Sequence, residues 1–179
     1  MRNALIPKIH CTSLPVRHRR LPSARGKRYA DLVTTKAALA ERNFASLAAM
    51  MSAYAEEAVR LAWTDHRRRL DLSESSVDLL EQILAGQAAE DLEFQTRLWG
   101  SYFGEVIRRR FAGEWELAPY PGGGVAVVPT LLVSGSRLYP LIKVYRRLTL
   151  GEGENLCAFY KMVSGRLGEP SKEGDQGVL

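Results

Sequence analysis

One carboxylate, one amine and two phenols fall in two short segments: Tyr102 and Glu105 in "WGSYFGEVIRRRF", Tyr139 and Lys143 in "LYPLIKVYRRL". Gathered around one pocket, Glu105 and Lys143 could exchange protons with a ligand while the tyrosine hydroxyls orient it. The arginines beside them, Arg108 and Arg109 with Arg110, then Arg146 with Arg147, are the residue type that grips carboxylates and phosphates. A smaller reading stands next to this one. Glu105 precedes Arg109 by four residues, an order that favours an ion pair along a helix, and an arginine run at a helix end is most simply a solvated terminus.

Nothing else in the chain names a reaction. Of the three histidines, His10 and His18 lie in the N-terminal segment and His66 stands beside arginines, so none is paired at metal-ligand spacing. There is no HExxH and no CxxC. "PGGGVAV" lacks the Lys-Ser/Thr of a phosphate-binding loop, and "SGS" is not a nucleophile elbow. Cys157 has no basic neighbour to activate it and reads as a small apolar residue. The expectation is therefore a chain without catalytic residues, metal or cofactor.

The helix that would carry Glu105 is unusual in another way. Trp99, Gly100, Phe103, Gly104, Ile107 and Phe111 share one face, with both glycines in its apolar middle. A glycine inside a helix costs about 1 kcal/mol relative to alanine, so close packing must compensate. Gly100 and Gly104 are predicted to be structural, a contact groove for the first helix or for the sheet. The spacing is no membrane signal, because Glu93, Arg97, Glu105 and Arg108–Arg110 interrupt the apolar run.

Residues 35–66 are rich in Ala, Leu, Met and Glu without Gly or Pro, which predicts one long amphipathic helix or two joined near Asn43, capped by Thr34 or Thr35. "RLDLS" reads as extended. Ser75 with Asp78 resembles a capping box for a short helix that Gly86 ends. The glycine-bearing helix follows from about Ala89 to Phe111. "EWELA" and "GVAVVPTLLV" read as strands around the turn "PYPGGG", with Pro129 implying an edge or a bulge. Residues 141–149 fit helix or strand. "NLCAFYKMVSGRL" is a last helix, capped by Asn155 and closed by Gly165. Leu79, Leu80, Ile83, Trp99, Phe103, Ile107, Phe111, Val127 and Val144 are the expected core.

The chain has 179 residues, 46% of them hydrophobic and 25% charged, enough for one folded domain, placed at 31–167. Its net charge of +5 is unevenly spread. Eight of the 25 Lys and Arg fall in residues 1–30, which contain no acid, and the other 17 face all 20 acids. Residues 1–30 read as a disordered basic arm, or as the product of a start placed too far upstream, and 168–179 as a disordered tail. The arm could touch nucleic acid. No apolar run is long enough for a membrane span, and the sparse cysteines fit a reducing, cytoplasmic setting.

Gly100, Tyr102, Gly104, Glu105 and Gly113, followed by Tyr139, Pro140, Lys143, Val144, Arg147, Phe159 and Tyr160, resemble a group of uncharacterised bacterial domains. In these a Gly-x-Tyr-x-Gly-Glu helix leads into strands and then an aromatic-Pro-x-x-Lys-Val segment. The resemblance covers roughly residues 70 to 165 and implies a fold but no reaction; some such domains occur near secretion or toxin systems, which implies protein binding.

The expected fold is α+β, three to four helices on a small antiparallel sheet with a C-terminal helical segment. The expected function is a non-catalytic protein-interaction module, an adaptor or immunity-type protein, with Tyr120 in its binding loop. The alternatives are nucleic-acid contact through the arm and a small-ligand pocket around Glu105.

Overall fold

The computed structural model describes residues 36–86 and 91–168. The basic arm, the proposed caps Thr34 and Thr35, and the tail beyond Gly168 lie outside the described residues. The fold is α+β, with helices packed on a three-stranded antiparallel sheet and a C-terminal helical segment.

The Ala-rich stretch is broken where Asn43 stands. A single helical turn covers 36–40, and helix α1 (Leu47–His66) starts afresh with Ser46 Oγ accepting the Ala49 N–H at 3.1 Å. It ends in the left-handed residue Arg67 (φ 56°), whose N–H reaches back to Ala62 and Trp63. The extended segment expected at "RLDLS" is instead a turn. Leu72 takes φ 62°, and the Asp71 carboxylate accepts both the N–H and the hydroxyl of Ser73. The expected capping box is also absent. Ser75 is already helical (φ −63°, ψ −23°), so its hydroxyl turns to Ser73 rather than to the start of helix α2 (Ser76–Ala85).

Helix α3 (Leu92–Phe111) is capped by Asp91, and the start expected near Ala89 lies outside the described residues. It is the central element, buried along nearly its whole length between α1 and the later helix α4. Strands β1 (Glu114–Pro119), β2 (Val127–Val133) and β3 (Ser136–Leu138) follow in spatial order β1-β2-β3. Ser134 and Gly135, both at positive φ (47° and 74°), make the two-residue turn that matches the twist of β2 and β3.

Pro129 sits in the middle strand, where a proline would normally break the ladder, and the register resolves this. The Tyr120 N–H donates to the Ala126 carbonyl at 2.9 Å, so the pairs of the same parity, Ala118 with Val128 and Glu116 with Thr130, are the hydrogen-bonded ones. Leu117 and Pro129 form a non-bonded pair, and the missing N–H faces the other side of β2. There β3 reaches only to Leu131, so Pro129 lies on a locally open edge.

The ambiguous segment at 141–149 is helix α4 (Pro140–Leu150), with Pro140 in its first turn. A 3-10 turn (Gly151–Glu154) leads to helix α5 (Leu156–Gly168), where Asn155 Oδ1 accepts the Ala158 N–H at 2.9 Å. Gly165 does not close it; the helix continues to Gly168.

Leu80, Ile83, Trp99, Phe103, Ile107 and Val144 are buried as predicted. Leu79 and Phe111 pack at the margin. Val127 does not belong to the core: it is 60% exposed, because the apolar face of the hairpin runs past the end of the helices that cover its base.

Candidate functional site

The glycine face of α3 is filled. A Cβ on Gly100 would stand 2.8 Å from Leu141 Cα, and one on Gly104 would collide with the Trp115 ring, with Pro140 Cγ at 3.3 Å. The groove therefore receives the start of α4 and an indole from β1, and not the first helix. Gly113 provides the return: a Cβ there would meet Val133 Cγ2 at 2.7 Å, so the chain can fold tightly from α3 into the sheet and lay Trp115 back on Gly104.

Glu105 is buried, with a relative exposure of 1%, at the centre of this junction. Arg108 grips it with two hydrogen bonds, Nε to Oε1 at 2.8 Å and a terminal nitrogen to Oε2 at 3.0 Å. Trp115 Nε1 donates to Oε1 at 2.8 Å, and Arg109 Nε stands 3.8 Å from Oε2. Its carboxylate raises the Arg108 guanidinium above the ordinary arginine value, chiefly through their hydrogen bond. The ion pair expected with Arg109 is thus made mainly with Arg108, and Trp115 is a partner that the sequence reading did not name.

Neither Lys143 nor Arg146 reaches Glu105. Both bind Glu154, Lys143 Nζ at 2.6 Å, and Lys143 also lies 5.4 Å from the Phe159 ring centre. Arg147, expected with Arg146 on an anion-binding edge, is buried, and its Nε donates to Glu81 Oε1 at 2.6 Å. Glu81 Oε2 accepts the Leu156 N–H at 2.9 Å, so one carboxylate joins α2, α4 and the start of α5. On α2 it resembles any solvated glutamate, and only its i−4 and i+3 neighbours, Val77 and Leu84, place it beside the buried face.

Tyr102 is fully buried on the opposite side from Trp115. Its hydroxyl accepts the Leu72 N–H at 3.0 Å and lies 2.6 Å from Ser76 Oγ, and burial pushes its phenol above the ordinary value. Tyr139 caps α4 through its carbonyl, which takes the Lys143 N–H at 3.0 Å. An open groove of about 340 Å³ does exist, lined by Leu92, Glu93, Thr96, Arg97, Leu141 and Tyr145. Tyr102, Glu105, Tyr139 and Lys143 are not among its lining residues, so the acid–base quartet is dispersed over three separate contacts.

What remains open is the outer half of the β-hairpin. Trp115, Leu117, Pro119, Val127, Pro129 and Leu131 share one face of β1 and β2. Trp115 and Leu131 pack inward at its base, whereas Leu117 and Val127 are each 60% exposed, with Tyr120 and Val125 also exposed at the tip. On the other face the Arg137–Glu116 pair, 2.6 Å apart, passes over β2. Alternation in "EWELAPY" carries this signal, because apolar residues continue on one face right up to the turn.

No family model, curated protein or solved structure matches this chain.

Proposed function

We propose that the protein is a non-catalytic interaction module that holds a protein partner against the outer face of its β-hairpin. The observation that carries this reading is the exposure of Leu117 and Val127 on the same face whose base is core. Contiguous apolar surface at the end of a supported hairpin is where a partner gains most from excluding water. The chemistry-bearing residues support the same reading, since Glu105, Lys143, Arg146 and Arg147 are each engaged within the fold.

The partner docks on the face and does not extend the sheet. Along the outer half of the hairpin, Pro119 on the β1 flank and Pro129 on the β2 flank beyond β3 each remove an N–H that an added strand would need. A flat apolar element, such as the exposed side of an amphipathic helix, suits that surface. A cytoplasmic place of action goes with this reading, as does the free thiol of Cys157.

The test is affinity capture of the C-terminally tagged protein from its own cells under nuclease, with Leu117→Lys and Val127→Lys variants in parallel. One stoichiometric protein retained by the native chain and lost from both variants is the expected result. Identical captures from all three would overturn the assignment. Concentration-dependent dimerisation lost in the variants would replace it with self-association.

A further inference from the structure

A second surface stands apart from the hairpin, at the end of α1. Most cations of the described residues are committed to carboxylates: Lys36 to Asp91, Arg60 to Glu57, Arg97 to Glu93, Arg108 to Glu105, Arg137 to Glu116, and Arg147 to Glu81. Arg67, Arg68 and Arg69 are different. They are consecutive and exposed, and among the described residues none lies within ion-pair distance of an acid. The two nearest acids in sequence are occupied otherwise, Asp65 with the Thr64 hydroxyl at 2.8 Å and Asp71 with Ser73.

Two of these arginines lie against an aromatic ring. Trp63 is 46% exposed, with the Arg69 guanidinium 5.1 Å and the Arg67 guanidinium 5.9 Å from its ring. The loop that carries them is held at both ends. Before it, the N–H groups of Arg67 and Arg68 close the helix on Trp63 and Ala62. After it, Leu70 is buried and the Leu72 N–H is fixed by Tyr102. The three guanidiniums are therefore presented on a fixed backbone, at little ordering cost to a ligand.

We propose that this face binds single-stranded nucleic acid, the arginines along the phosphates and Trp63 against a base. Unpaired guanidiniums contribute charge and hydrogen-bond forks, and an exposed indole among them gives a stacking surface that an acidic protein would not need. The acid-free residues 1–30 carry eight further Lys and Arg, charge of the sign the same polymer attracts.

The experiment uses the full chain and a fluorescein-labelled 20-nucleotide single strand, read by anisotropy between 50 and 200 mM salt. The Arg67→Gln, Arg68→Gln, Arg69→Gln triple variant is compared with a control triple, Arg42→Gln, Lys161→Gln, Arg166→Gln, which removes equal charge elsewhere. The expected result is a loss of about tenfold or more in affinity for the first triple, with a salt slope shallower by about two, from about 0.7 per phosphate contact. Trp63→Leu should weaken single-strand binding by about fivefold or more and abolish quenching of tryptophan fluorescence by the oligonucleotide. Equal affinity of the two triple variants overturns the proposal and leaves any binding to the arm. So does salt-sensitive binding to anionic phosphatidylserine vesicles without binding to the oligonucleotide. Far-ultraviolet circular dichroism of each variant confirms that the exposed substitutions leave the helices intact.

Discussion

The indole N–H of Trp115 donates to Glu105 at 2.8 Å, and the ring of the same indole occupies the space a side chain at Gly104 would need. One strand residue thereby gives Glu105 Oε1 a second donor beside Arg108 Nε and fills the gap left by the neighbouring glycine. Charge and shape at the helix–sheet junction depend on the same side chain. In a Glu105→Gln, Trp115→Phe double-mutant cycle the two changes should couple by about 1.5–3 kcal/mol, the range for a hydrogen bond to a charged group. Additive effects in urea unfolding would mean that Arg108 alone satisfies the carboxylate.

Gly104→Ala sets two opposing effects against each other. Alanine gains about 1 kcal/mol of helix propensity, while forcing a methyl against a rigid ring costs about 1–3 kcal/mol. The indole cannot swing away without giving up its bond to Glu105, so the net effect should be destabilising. A lower unfolding midpoint with a red-shifted tryptophan emission is the expected pair of readings; a stabilised variant would show that Trp115 has room to move.

Tyr102→Phe removes a hydroxyl that holds the Leu72 N–H and meets Ser76 Oγ inside the protein. Ser76 keeps its bond to the Ser73 carbonyl, but the Leu72 N–H is left without a partner. A loss of about 1–3 kcal/mol follows from an unsatisfied buried donor. Amide exchange at Leu72 should accelerate more than at Leu80, and equal protection at both would separate the tyrosine from the 67–72 loop.

The hydrogen bond from Lys143, with the charges of Lys143 and Arg146 beside it, holds the Glu154 carboxyl below its ordinary value. A group with a depressed folded pKa stabilises the protein fully above its unfolded value, about 4.3, and ceases to do so as pH falls through the folded value. Glu154→Gln should therefore lower the urea midpoint at pH 7 and lose less between pH 5 and pH 3 than the native chain. Parallel pH profiles would show that the pair adds nothing to stability.

Burial, reinforced by Asp78, pushes the Cys157 thiol up to about 12. The reactive thiolate is then scarce at pH 8. Iodoacetamide should label the Cys157 peptide at least about a hundredfold more slowly in the native protein than in urea. Labelling at the unfolded rate would identify an open, activated thiol instead.

The glycine face of α3 was legible from the sequence because two glycines in an apolar stripe demand a close neighbour, and helix periodicity alone places them. Which neighbour arrives was not legible, since Trp115 and Leu141 come from elements whose approach is set by the turn at Gly113 and by the helix start at Pro140. Ser75 misled for a local reason: it has the residue type of a cap but not the extended backbone a cap requires. Val127 misled for a global one, because alternation identifies the apolar face of a strand but not how far the body beneath it extends. Arginine pairing followed local order at Arg108 and Arg109 but depended on distant carboxylates at Arg146 and Arg147, where Glu154 and Glu81 arrive through the chain reversal at 151–155 and the packing of α2.

Pro119 and Pro129 also bear on how this chain behaves at high concentration. Apolar hairpins of this kind are seeds for fibrils when copies can stack edge upon edge, each layer templating the next. With an N–H missing from each flank of the outer hairpin, an added strand loses a ladder bond at Pro119 or Pro129, which disfavours stacking beside the exposed Leu117 and Val127. Replacement of either proline by a β-branched residue would open a growth front, which makes these two codons, far from any chemical group, the ones on which solubility of the exposed face depends.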